Sequence, residues 1–124
     1  MTINDVKCNF TKKKFYYHKQ KGEDKMSKVK ILLVCPNKQP VIKEINNSIY
    51  ELYGLVYYPY YEIKLEENIF LICSKEAEEN GFPLCRIYKN RKIYSNFVIL
   101  AKKSNKFVSL NQEQINFYTQ MFNI

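Results

Sequence analysis

The 124-residue chain has one histidine, three glycines, two arginines and no C-x-x-C pair, and each scarcity removes a class of chemistry. His18 lies between Tyr17 and Lys19, where neighbouring lysines oppose its protonation and no second imidazole can share a metal. It is not predicted to act as a general base. Gly22, Gly54 and Gly81 stand alone, so no glycine-rich phosphate loop exists and nucleotide hydrolysis of the P-loop type is excluded. No apolar run approaches the roughly 18 residues of a membrane span. The opening stretch, with Asn4, Asp5 and Lys7, lacks the apolar core of a secretory signal. Cys8, Cys35, Cys73 and Cys85 are widely spaced and mostly in or beside apolar runs, which predicts reduced, buried thiols in place of a disulfide framework. The expectation is a single cytoplasmic domain with no cofactor, no metal, no catalytic residue and no membrane contact.

What the chain has is charge, arranged in blocks. Its formal net charge is +8. Residues 1–30 carry nine lysines against Asp5, Glu23 and Asp24, residues 31–61 are balanced, and residues 62–79 hold six glutamates against Lys64 and Lys75. Residues 80–112 then carry Arg86, Lys89, Arg91, Lys92, Lys102, Lys103 and Lys106 with no carboxylate. Composition rich in Lys, Asn, Ile and Tyr explains part of the total through adenine- and thymine-rich codons, but explains the blocks less well. Such blocks suggest partners chosen by charge. The candidate contact residues are those seven cations together with Lys12, Lys13, Lys14 and Tyr16, where cations sit beside aromatic rings able to stack on bases. The competing reading turns those rings inward as core and leaves a solvated lysine face. Tyr57, Tyr58, Tyr60 and Tyr61 are open to either role. Glu62, Glu66 and Glu67 could pair for acid–base work or magnesium, but Glu62 and Glu66 fall on one wet strand face with Lys64 between them, which predicts a solvated ion-pair ladder.

Residues 1–27 read as a basic extension with short candidate strands at Cys8, Phe10, Phe15 and Tyr17, and residues 28–124 as a single domain. VKILLVC at 29–35 is apolar on both faces, as a central strand is. A Pro-Asn-Lys-Gln-Pro turn leads to a second strand at 41–45. Ser48 and Glu51 form a capping-box pattern, with Ile49, Leu52, Tyr53 and Val56 on one face of a short helix that Pro59 stops. Strands follow at 61–66, 69–73 and 82–88, where Pro83 favours an edge or a bulge. Segments 97–102 and 106–110 flank a tight turn at Ser104-Asn105. Asn111 and Gln114 cap the last helix, Leu110 and Ile115 staple it, and Ile115, Tyr118, Met121 and Phe122 form its apolar stripe. The expected fold is α+β: an antiparallel or mixed β-sheet of about five to six strands covered by two short α-helices.

The order ILLVCP, PVIKEI, SIYELYGLV, IFLIC, GFPLCRIY, NFVILAKK and KFVSLNQEQINFYTQMF resembles the family catalogued as domain of unknown function 3846, over residues 28–122. Cys85 stands where such proteins have asparagine before the arginine, and Ser95 where they have glycine. The resemblance implies a fold and a habitat, on phages and mobile elements near antirestriction genes, and supplies no catalytic residue. Together with the charge blocks it points to a non-enzymatic protein in a bacterial host's cytoplasm. Such a protein would bind and inhibit a host defence protein or ribonucleoprotein complex, as anti-CRISPR and antirestriction proteins do. The alternative is a direct nucleic-acid-binding module built on the basic and aromatic segments.

Overall fold

The computed structural model describes residues 28–124. The expected strands at Cys8, Phe10, Phe15 and Tyr17 lie outside them. The elements in chain order are β1 (Lys28–Val34), β2 (Val41–Asn46), a 3-10 helix (Ile49–Gly54), β3 (Tyr60–Glu66), β4 (Ile69–Ser74), β5 (Leu84–Tyr88), β6 (Arg91–Tyr94), β7 (Phe97–Lys103), β8 (Lys106–Val108) and α1 (Gln112–Met121). The main sheet has six strands in the order β2-β1-β7-β4-β3, with β8 also on β7, and β5 and β6 form a separate hairpin. All pairings are antiparallel.

The two-faced apolar pattern of β1 is used on both sides. Leu32 and Val34 enter a cluster with Leu71, Phe97, Ile99 and the α1 side chains Ile115, Tyr118 and Phe122. Ile31 and Leu33 enter the opposite cluster, with Val98, Leu100, Leu52 and Val56. The sheet is thus a middle layer, covered on one face by α1 and the β5–β6 hairpin and on the other by the 3-10 segment.

The first of the two expected helices is shorter and tighter than the capping pattern predicts. Ser48 Oγ accepts from Tyr50 N at 3.1 Å, but the Glu51 carboxylate accepts from Asn46 Nδ2 instead of returning to the cap. With Gly54 costing a helix about 1 kcal/mol and Pro59 close behind, the segment is too short to propagate α-helical bonds and settles as one 3-10 stretch. Leu52 and Val56 are buried while Ile49 remains half exposed.

The final helix forms as its caps predict. Asn111 Oδ1 accepts from Gln114 N and Gln114 Oε1 from Asn111 N, both at 2.8 Å, and Leu110 and Ile115 are buried. Met121 departs from the predicted inward stripe. It lies on the outer flank, because Ile115, Tyr118 and Phe122 already fill the arc facing the sheet.

Two tight turns have paired left-handed residues: Ser104 and Asn105 between β7 and β8, and Lys89 and Asn90 between β5 and β6. That is the geometry of a two-residue hairpin, and it is the strand β6 beyond Asn90 that the periodic pattern does not reveal. Ser95, where the resemblance expects glycine, has φ 70°, the region glycine enters without a Cβ penalty.

Candidate functional site

The two arginines part company. A register shift between Leu84 and Arg86, on the strand that Pro83 opens, turns Cys85 inward, its Sγ 3.6 Å from Val34 O. Arg86 then reaches across the fold. Its Nε donates to Phe122 O at 2.7 Å, Nη2 to Lys38 O at 2.6 Å, and Nη1 to Cys85 O at 2.9 Å. The fork that could grip an anion on a partner is spent on main-chain carbonyls of three segments. Its charge also sits at the C-terminal, electronegative end of α1.

Arg91 faces outward. It opens β6 immediately after the left-handed Lys89-Asn90 turn, and its guanidinium lies 4.8 Å from the Tyr61 ring centroid. The ring holds the planar group in place by cation–π attraction, and among the described residues no hydrogen bond takes up its N–H donors. Around it a cleft of ≈ 230 Å³ is lined by Lys92 and Tyr94 of β6, by Cys73 and Ser74 at the end of β4, and by Lys75 and Glu78 of the following loop. Three cations and one carboxylate thus meet in one hollow.

Neither potential nucleophile in the cleft is poised for chemistry. Ser74 Oγ accepts from Glu76 N at 3.1 Å and serves the turn. The Cys73 thiol lies 3.7 Å from Tyr61 O, and burial pushes it up to about 11 despite the opposing pull of Arg91. A group held neutral in the fold favours the native state until the unfolded chain ionises. The Cys73 contribution to stability should therefore be level below about pH 9 and fall as pH rises toward 11. Burial also raises Tyr60 and Tyr118, with the same sign. In a Cys8→Ser variant, Ellman's reagent at pH 8 should find no fast thiol until denaturant is added, since Cys35, Cys73 and Cys85 are all buried. One rapidly reacting thiol in the native protein would contradict this.

The remaining candidates scatter. Lys102 bonds Glu62 at 2.5 Å while lying 4.7 Å from the Phe70 centroid, so it is neutralised within the fold. Lys103 and Lys106 face each other at the base of the β7–β8 turn. Ala101 pairs with Ile69 at the start of β4, so these lysines lie at the opposite end of the sheet from the cleft at Cys73 and Ser74. Lys89 lies 5.4 Å from the Tyr88 centroid at the hairpin tip. Lys12, Lys13, Lys14 and Tyr16 lie outside the described residues.

The glutamate ladder does not form as the sequence pattern suggests. A bulge between Lys64 and Glu66 breaks the alternation of β3, so Glu62 goes to Lys102 and Glu66 accepts from the Tyr118 hydroxyl at 2.7 Å. Lys64 pairs with Glu67 at 3.4 Å. Among the described residues no three His, Cys, Asp or Glu side chains converge as metal ligands do.

Charge blocks separated in sequence are therefore interleaved in space. Residues 28–124 carry thirteen basic against nine acidic side chains, a net of +4. Sequence reasoning picked out Arg91 and Lys92 and left Tyr61 open between core and partner surface, but missed Lys75 and Glu78 beside them, because only the sheet register brings these segments together. Of the four tyrosines left open, Tyr58 is exposed, Tyr60 packs against the second core cluster, Tyr57 meets Phe82 edge-on, and Tyr61 carries Arg91.

A family model described as Domain of unknown function (DUF3846) matches residues 29–123. No curated protein and no solved structure matches the chain.

Proposed function

The chain belongs to the DUF3846 family, and from that premise we propose that it is a non-enzymatic binding protein that holds an acidic surface of a host defence protein in the Arg91–Lys92 cleft and inhibits it. One observation carries the acidic-surface part: an arginine braced on Tyr61 beside Lys92 and Lys75, in a hollow whose thiol and hydroxyl have structural duties. Carboxylates of a partner could take the free donors of Arg91 in a fork, and Glu78 could receive a partner's amine. The inhibitory role and the class of target rest on the habitat that the sequence resemblance implies.

The mixed sign of the cleft favours protein over nucleic acid. A phosphate-tracking surface lines up several unpaired cations, whereas here Lys102 is neutralised by Glu62 and Lys103 and Lys106 stand at the far end of the sheet. Calorimetry with a glutamate-rich peptide and with a single-stranded oligonucleotide separates the two. The peptide should bind with a shallow salt dependence, and the Arg91→Glu variant should lose it. Tighter oligonucleotide binding that falls by orders of magnitude between about 50 and 200 mM salt would overturn the proposal.

A further inference from the structure

The loop that follows β4 carries a covalent site as well as one wall of the cleft. Asn80-Gly81 is the one Asn-Gly step in the sequence, and both residues are exposed in the turn that ends this loop. Asparagine is a thermolabile residue, and a glycine after it removes the Cβ that would shield the next main-chain nitrogen. A Cβ built on Gly81 would meet nothing within 4 Å among the described residues, which leaves room for a succinimide ring and for the water that opens it.

The bonds of the turn decide what must open for the reaction to start. Asn80 Nδ2 donates to Glu76 O at 2.8 Å and Gly81 N to Glu78 O at 3.1 Å. Releasing these two bonds of an exposed turn is a local opening that leaves the sheet intact. The Asn47-Ser48 step, next in steric ease, is held more firmly: Asn47 pairs through both amide atoms with the main chain of Phe107, at 3.1 and 3.3 Å. Every other asparagine precedes a residue larger than serine.

We propose that Asn80 is a spontaneous modification site whose conversion to an acid weakens the cleft's hold on an acidic partner. The Gly81 amide nitrogen gives up its proton and attacks the Asn80 side-chain carbonyl carbon; the bond from that carbon to Nδ2 breaks, and ammonia leaves carrying a proton. Water then adds to the side-chain carbonyl of the succinimide to give aspartate, or to its main-chain carbonyl to give isoaspartate. The product carboxylate lacks the donor that met Glu76 O and becomes the fourth acid among residues 76–80, beside Glu76, Glu78 and Glu79. Lys75 and Glu78 of the same loop line the cleft, so the added negative charge and the released turn both act against carboxylates bound there. The modification stands on the turn alone, and its effect on binding rests on the acidic-partner proposal above.

The test incubates the full chain in warm, mildly alkaline buffer and samples it by peptide mapping with mass spectrometry and by calorimetry with the glutamate-rich peptide. The amide-to-acid mass shift should appear first at Asn80, as two chromatographically distinct products, and peptide affinity should fall about threefold in step with it. Freshly prepared Asn80→Asp should show the weaker binding at once. Asn80→Gln, whose longer side chain cyclises slowly, should keep its affinity through the same incubation. An Asn80 that stays intact, or that converts no faster than Asn47, would overturn the modification site. Conversion with unchanged affinity, or an Asn80→Asp variant that binds as the parent does, would overturn its effect on the cleft. Failure of the fresh protein to bind the peptide would overturn the cleft proposal and that effect together, and the mass map would still decide the covalent site.

Discussion

Arg86→Ala should lower the melting temperature of the chain by about 10 °C or more while leaving the binding of acidic peptide intact below the melt. The side chain bonds carbonyls of Phe122, Lys38 and Cys85, and truncation leaves those acceptors partly buried without their donor. Charge-assisted bonds of this kind, lost together, are worth about 2–4 kcal/mol. Lysine should not rescue it, because one ammonium cannot reach three carbonyls set in different directions. Thermal melts of Arg86→Ala and Arg86→Lys followed by circular dichroism check this. An unchanged melt with lost binding would return the fork to the surface and make Arg86 a contact residue.

Replacing Ile115 by aspartate should abolish the cooperative fold. Ile115 is 5% exposed in the cluster formed by α1, β1, β4 and β7, at the point where the helix staple meets the apolar stripe. A carboxylate there has no partner, and the cost of about 4 kcal/mol or more is comparable to the whole stability of a domain this size. Met121→Asp is the control on the same helix. At the exposed flank it should shift stability by no more than about 0.5 kcal/mol. Equal melting of the two variants would mean that α1 does not pack as described.

Much of the fold is legible because it rests on local rules. The apolar run of β1, the Ser104-Asn105 hairpin and the Asn111 capping box each follow from residues within a few positions of one another. The misses occur where distant residues decide. The Ser48 pattern promises a helix, but Asn46 draws off the Glu51 carboxylate and the segment is too short to wind further. Met121 fits the period of an inward stripe, yet the arc is full before it is reached. The Lys64–Glu66 bulge moves Glu66 away from Glu62, and no alternation pattern carries that information.

The candidate site shows the same division. Arg91 and Lys92 stand out by residue type, but Arg86 is identical in type and serves the interior. Only its placement at the Leu84–Arg86 shift, within reach of the end of α1, separates the two arginines. Sequence blocks of charge also predict a more polarised surface than the fold presents, because β3 and the loop after β4 bring glutamates beside the lysines of β7 and β6.

The central claim is that Arg91 and Lys92 select a partner by charge without supporting the fold. A charge-swap calorimetry experiment tests it most directly: wild type and Arg91→Glu/Lys92→Glu titrated with a glutamate-rich and a lysine-rich peptide, alongside melts of both proteins. The double reversal should lose the glutamate peptide, gain the lysine peptide beside Glu78, and melt with the parent. A double variant that still binds the glutamate peptide, or that loses it only because it no longer melts cooperatively, would contradict the account.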